Sequence, residues 1–194
     1  AWGIGRGLAP VLASQGLRLL LVDRDSHALS EVADSLREDG VDVETFATDL
    51  ADPAARKELA DAITTGTPDL HGIIHNAGID PRQTLEETSV EFFREVMATN
   101  VEPSLDLTRH LLSTLKAGGR GRIVLIGSIT FHLGTALLSS YVASKAAIVG
   151  ITRSLANELG PEGINVNCIE PGAVRVEKVE ALSTEDVEAR IRES

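Results

Sequence analysis

Tyr141 is the only tyrosine in this 194-residue chain, and it stands four residues before Lys145 and thirteen after Ser128. Residues four apart on a helix lie one above the other, so a helix through Tyr141 sets the Lys145 ammonium beside the phenol. A neighbouring cation favours the phenolate, and the expected result is a phenol whose pKa falls from about 10 toward neutrality. Such a group can both give and take a proton at physiological pH. Ser128, at the end of an apolar strand-like run, could hold the carbonyl or hydroxyl oxygen on which Tyr141 acts. The plainer alternative is an amphipathic helix carrying one tyrosine and a solvated lysine.

Elements able to position these residues are visible in the hydrophobic pattern. Apolar runs of strand length alternate with longer segments of helical period, the signature of a parallel sheet covered by helices. Strands are predicted over residues 17–23, 41–46, 72–75, 122–127 and 164–169, and helices over 4–15, 26–38, 53–64, 90–99, 101–116 and 140–159. Asp39-Gly40, Gly118-Gly119 and Gly160-Pro161 punctuate them as turns. The expected fold class is α/β: a Rossmann-type doubly wound parallel sheet with helices on both faces, in a single domain over 1–194. Past Pro171-Gly172 the pattern loosens into a charged segment, read as a substrate loop or lid over 171–194 with a short helix around 184–192. A doubly wound sheet uses its first strand at the centre of the order 3-2-1-4-5-6. Here a glycine turn follows almost directly on Ala1, so the sequence reads as a fragment without that strand.

Several strand ends carry small or polar residues. Gly3-Ile4-Gly5 opens the first helix, where backbone N–H groups and the positive helix end favour a pyrophosphate, although plain helix capping explains the same residues. Asp23 ends the next strand near the position where a dinucleotide fold places an acid on the adenosine ribose. Thr48-Asp49-Leu50 and His75-Asn76-Ala77-Gly78 end the third and fourth strand regions. In an open α/β sheet, ligands bind outside the carboxyl ends of the strands. Turn formation alone also accounts for Asp, Asn and Gly at such places.

The formal net charge of −11 is scattered rather than gathered in a tail, which speaks against a nucleic-acid partner. Cys168 is the sole cysteine and is read as core packing; with no internal disulfide to form, a reducing cytoplasm suits the chain. No apolar stretch reaches the ~18 residues of a membrane span, and the five histidines show no metal-ligand spacing, so neither a membrane partner nor a metal is expected.

Taken in order, these motifs resemble those of the short-chain dehydrogenase/reductase family across almost the whole chain. Gly3-Ile4-Gly5 matches the end of its phosphate turn, Asp49-Leu50 its adenine-contacting pair, and Asn76-Ala77-Gly78 its fourth-strand motif. Asn100, Ser128, Tyr141, Lys145 and Pro171-Gly172 follow in register. The resemblance implies a nicotinamide oxidoreductase acting on a secondary alcohol or ketone, with a 3-oxoacyl thioester among the candidates. It makes Tyr141 the general acid/base and has Lys145 lower its pKa and hold the nicotinamide ribose. Ser128 orients the reacting oxygen, and Asn100 supports a water that links the lysine to solvent. The cofactor-binding set it implies is Gly3, Ile4, Gly5, Asp23, Asp49, Leu50, Asn76, Ala77, Gly78, Tyr141, Lys145, Pro171, Gly172 and Val174. It also implies a homodimer or homotetramer built through helices 101–116 and 140–159, and a last strand and helix beyond Ser194.

NAD is expected rather than NADP. A carboxylate at Asp23 can accept from both ribose hydroxyls and repels a 2′-phosphate, while Arg24 beside it is the type of residue that accommodates one. Two departures from the family stand out. His75 replaces the commoner asparagine, a change expected to be structural, and Val176 stands where a threonine contacts the carboxamide. The rival reading is a non-catalytic dinucleotide-binding or regulatory protein on the same fold, because fold alone does not decide function.

Overall fold

The computed structural model describes residues 2–174, so Val176, the helix expected over 184–192 and most of the expected lid lie outside the described residues. In chain order the elements are α1 (Gly3–Ser14), β1 (Leu19–Asp23), α2 (Ser26–Glu38), β2 (Val43–Ala47), α3 (Pro53–Gly66) and β3 (Gly72–His75). They continue with α4 (Val90–Asn100), α5 (Glu102–Ala117), β4 (Arg122–Ile126), α6 (Thr130–Leu133), α7 (Ser139–Leu159), a 3-10 turn over Gly160–Glu162, and β5 (Asn165–Ile169). Every strand pairing is parallel, as the alternation of strands and helices requires.

The α/β class with parallel strands alternating with helices is as expected, and the strands hydrogen-bond in two groups, β1-β2 and β3-β4-β5. Among the described residues no strand hydrogen-bonds to both β1 and β3, the place that the first strand of a doubly wound sheet takes. The chain correspondingly groups into two compact units, residues 2–49 with 173–174, and Leu50–Gly172.

In the first unit, Ala9, Leu19, Val32, Ala33, Leu36 and Val43 form the core, drawn from α1, α2 and the two strands. Asp25 starts α2 because its carboxylate accepts from the otherwise unpaired amides of His27 (3.1 Å) and Ala28 (3.0 Å). Strand β1 begins at Leu19, two residues later than the apolar run suggests, since its partner strand starts only at Val43 after the Gly40 turn.

In the second unit, β4 is the middle strand, with Ile123 and Leu125 fully buried between β3 and β5. Leu115 from α5, Ile148 and Leu159 from α7, and Ile164 and Val166 around β5 complete this core. The buried line Ser140, Ser144, Ile148, Thr152 and Leu159 shows which face α7 turns inward, and its small members let the helix lie close. Arg56 is a buried cation held by Asp106 (2.8 Å), Glu102 (3.3 Å) and the Leu50 carbonyl (2.7 Å), tying α3 to α5. Among the described residues no helix is long and apolar enough to cross a membrane.

Candidate active site

Because β3, β4 and β5 are parallel, their carboxyl ends come out on one edge. His75 lies beside Leu125, and Ile126 beside Ile169, so the segments Asn76-Ala77-Gly78, Gly127-Ser128 and Glu170-Pro171-Gly172 emerge there together. Gly127 permits this closeness: a Cβ on it would stand 2.8 Å from Cys168 Sγ and 3.0 Å from Glu170 Cγ. Tyr141 and Lys145 sit one turn apart at the start of α7, with the Lys145 ammonium 5.5 Å from the centroid of the phenol ring. Lys145 is 5% exposed and donates to the Ile126 carbonyl at 2.7 Å, so its aim is set by the end of β4.

Ser128 is buried at 7% exposure, and its hydroxyl lies close enough to the Tyr141 phenol to favour the phenolate. A hydroxyl has one proton to donate and two lone pairs. Both lone pairs of Ser128 are taken by Thr130, from its backbone N–H at 3.2 Å and its side-chain hydroxyl at 2.9 Å. The Ser128 proton is therefore the part left to point at an oxygen, which suits a group that stabilises a phenolate or polarises a carbonyl.

Asn100, the last residue of α4, accepts from the Ile79 amide at 2.8 Å. It donates to the Ile79 carbonyl at 2.9 Å and to Ser144 Oγ at 3.0 Å. Ser144 in turn donates to the Tyr141 carbonyl at 2.7 Å. Both Nδ2 protons of Asn100 are thus taken by protein, and the side chain fastens the loop after β3 to the first turns of α7. Gly78 keeps the space beside this junction open: a Cβ there would stand 3.2 Å from Asn100 Oδ1 and 3.7 Å from Lys145 Nζ.

The electrostatics correct the sequence reading. The Tyr141 phenol is pushed up, not down, because burial of the ring outweighs the pull of the Ser128 hydroxyl, and the Asp80 carboxylate adds to the rise. Lys145 is pushed down to about 8 by burial, against the opposing pull of Cys168 and Asp80. Helical spacing places the ammonium over the ring as expected, but the same packing that brings the two together removes the water that would stabilise a phenolate.

The residues expected to hold a cofactor divide between the two units. Gly3, Ile4 and Gly5 form the first turn of α1, whose N-cap, Trp2, makes no side-chain capping bond. Asp23 ends β1, and its Oδ1 accepts from the Asp25 amide at 3.0 Å. Asp49 and Val174 belong to the same unit, and both are exposed. Leu50, Asn76, Ala77, Gly78, Tyr141, Lys145, Pro171 and Gly172 belong to the other. There the Pro171 carbonyl accepts from the Ile129 amide at 3.1 Å, and the Leu50 carbonyl from Arg56.

His75, outside the reacting group, is held at 2.9 Å from Thr108 Oγ1, and desolvation pushes it down to about 4. It is a neutral packing residue, as expected. Cys168 packs against the core and its thiol is raised by burial.

Asp80, Thr130 and Ser144 were missed from sequence. Asp80 sits two residues past Asn76-Ala77-Gly78, and Ser144 directly before Lys145, so adjacency was the available signal. Thr130 carried none, because α6 has four residues and is too short to show a period.

A family model described as short chain dehydrogenase matches residues 1–187. D-xylose 1-dehydrogenase of Caulobacter vibrioides is 34% identical over 193 residues, which is 97% of this chain and 75% of that protein. L-rhamnose 1-dehydrogenase (NADP(+)) of Thermoplasma acidophilum is 34% identical over 175 residues, 89% of this chain and 68% of that protein. A solved short-chain dehydrogenase from Streptomyces avermitilis superposes with a TM-score of 0.83 at 28% identity, covering 91% of this chain and 65% of that one. The chain therefore spans about two-thirds to three-quarters of the length of the proteins it matches. Family motifs, parallel fold and matches at this coverage agree with one another, and the chain belongs to the short-chain dehydrogenase family.

Proposed function

We propose that the protein is a nicotinamide-dependent dehydrogenase acting on a secondary alcohol or its ketone, with Tyr141 as the proton carrier. One observation carries the reading: Ser128, its lone pairs filled by Thr130, stands beside the Tyr141 phenol and favours its phenolate, and the Lys145 ammonium lies 5.5 Å from the centroid of the same ring. A nicotinamide cofactor supplies the hydride chemistry when bound. With substrate bound, the single Ser128 proton turns from the phenol to the reacting oxygen and fixes its distance from the phenol, and Tyr141 gives that oxygen a proton in reduction or takes it in oxidation. A phenol raised above its ordinary pKa is protonated at neutral pH, the form that reduction of a carbonyl needs. Lys145 presents its remaining N–H groups beside Gly78, where a cofactor ribose would be held.

NAD is the proposed cofactor on the strength of Asp23 at the end of β1, although one relative is named for NADP(+). Two relatives are named for oxidation at position 1 of a sugar, so sugar hydroxyls stand first in a substrate panel, ahead of simple ketones and 3-oxoacyl thioesters. A groove of about 480 Å³ between α5 and α7, lined by Leu105, Leu112 and Leu155 with Arg109 and Glu158, supports pairing of two copies through these helices. Sedimentation of the full-length protein as a monomer at micromolar concentration would count against it. The cytoplasm is the proposed compartment, on the single unpaired cysteine.

The test is turnover of the full-length protein on that panel with each cofactor, beside Tyr141→Phe. The variant should lose about 10²- to 10⁴-fold in kcat while its cofactor affinity holds. Near-normal turnover in Tyr141→Phe refutes the assignment, and cofactor binding without turnover by the unsubstituted protein favours the non-catalytic reading.

A further inference from the structure

His132 lies on α6, one turn from the chain segment that carries Ser128, and has no part in the proton chemistry above. Its Nε2 is 2.8 Å from Glu170 Oε2, and the two side chains are 55% and 30% exposed. Glu170 follows β5 directly and precedes Pro171, whose carbonyl takes the Ile129 amide, while the Gly127 amide donates to the Ile169 carbonyl at 2.7 Å. The stretch from Gly127 to His132 is thus fastened to the end of β5 at three points, two of them backbone and the third the His132–Glu170 contact.

The third point differs from the other two in what it holds. The backbone bonds secure Gly127 and Ile129, on either side of Ser128. Thr130 lies beyond them, on a four-residue helix whose last turn closes at Gly134 in the left-handed region, with φ of 64°. A single helical turn has little stability of its own. Yet Thr130 alone fills both lone pairs of Ser128 and so decides where the serine proton points. Something beyond the helix itself must keep Thr130 in register, and His132, two residues on, is tied by its side chain to Glu170, the residue that follows β5.

We propose that His132 and Glu170 are a positioning pair, latching α6 to the end of β5 so that Thr130 stays on the acceptor side of Ser128 and the serine proton stays aimed at the Tyr141 oxygen. The proposal rests on the dehydrogenase reading for its effect on turnover, but its effect on Tyr141 does not. Where the latch is cut, Thr130 leaves Ser128, the hydroxyl is free to turn, and the phenolate loses a donor.

The experiment uses the full-length protein with His132→Ala, Glu170→Ala, the double variant and Glu170→Gln. Tyr141 is read by the alkaline rise in phenolate absorbance that Tyr141→Phe abolishes. Each alanine variant should move that midpoint upward and lower kcat by about 10- to 100-fold with the cofactor KM unchanged, the double variant going no further than either single one. Glu170→Gln keeps an oxygen for the imidazole N–H and should remain close to the unsubstituted protein.

A pair with only a structural role would lower the melting temperature and leave midpoint and kcat in place. That result, or losses that simply add in the double variant, overturns the proposal. Should Glu170→Ala fail to fold, His132→Ala at an exposed position decides the question. If the unsubstituted protein turns over nothing, the dehydrogenase reading falls, and the latch stands or falls on the Tyr141 midpoint.

Discussion

Replacing Asn100 with alanine tests whether the loop after β3 is held to α7 by one side chain. Asn100 is 5% exposed and makes three hydrogen bonds of 2.8 to 3.0 Å, two to the backbone of Ile79 and one to Ser144. At about 0.5–1.5 kcal/mol each, their loss amounts to roughly 3 kcal/mol, and partial access of water to Ile79 keeps the cost from rising further. Urea denaturation at neutral pH should give that decrease, and amide exchange at Ile79 should speed up more than exchange in β4. Asn100→Asp sharpens the test. It keeps an acceptor for the Ile79 amide but turns a carboxylate oxygen toward the Ile79 carbonyl and toward Ser144, whose proton already goes to the Tyr141 carbonyl. That variant should be at least as unstable as Asn100→Ala at neutral pH and should recover as the pH falls and the carboxyl becomes protonated. A cost below about 1 kcal/mol for Asn100→Ala, or an aspartate variant more stable than the alanine one at neutral pH, would refute the reasoning.

Two further outcomes follow from His75 and Arg56. His75 is held neutral, its pKa pushed down to about 4 from the ordinary value near 6.5, so the unfolded chain takes up a proton that the folded one refuses. Stability from this group is complete above about pH 6.5 and falls away as the pH drops toward 4, by at most about 3 kcal/mol, and a His75→Gln protein with the same pH slope would disprove it. Arg56→Met removes the cation between Asp106 and Glu102 and should cost about 3 kcal/mol by denaturant titration, the lower end of the range for breaking a buried pair. Asp106 and Glu102 keep 24% and 50% side-chain exposure and can find water, so the cost stays at that end; a loss under about 1 kcal/mol would show that the network holds nothing.

Local chemistry was enough for much of this protein. The alternation of short apolar runs with helical segments dictates parallel strands, since each return to the sheet crosses over through a helix. Four residues of helical spacing put Lys145 over the face of Tyr141, and strand ends rich in Asn, Gly and Ser marked the edge where the site forms. Those inferences depend only on periodicities of the backbone, which residue order carries in full. What tertiary structure alone decided concerns the surroundings of each group. The direction of the Tyr141 shift follows from which atoms displace water around the ring, and the aim of Ser128 from a threonine on a helix too short to announce itself. The division into two sheets follows from which strands find a partner. Each of these is a property of contacts between segments far apart in the chain, and desolvation in particular has no local signature, because it is produced by everything that packs nearby.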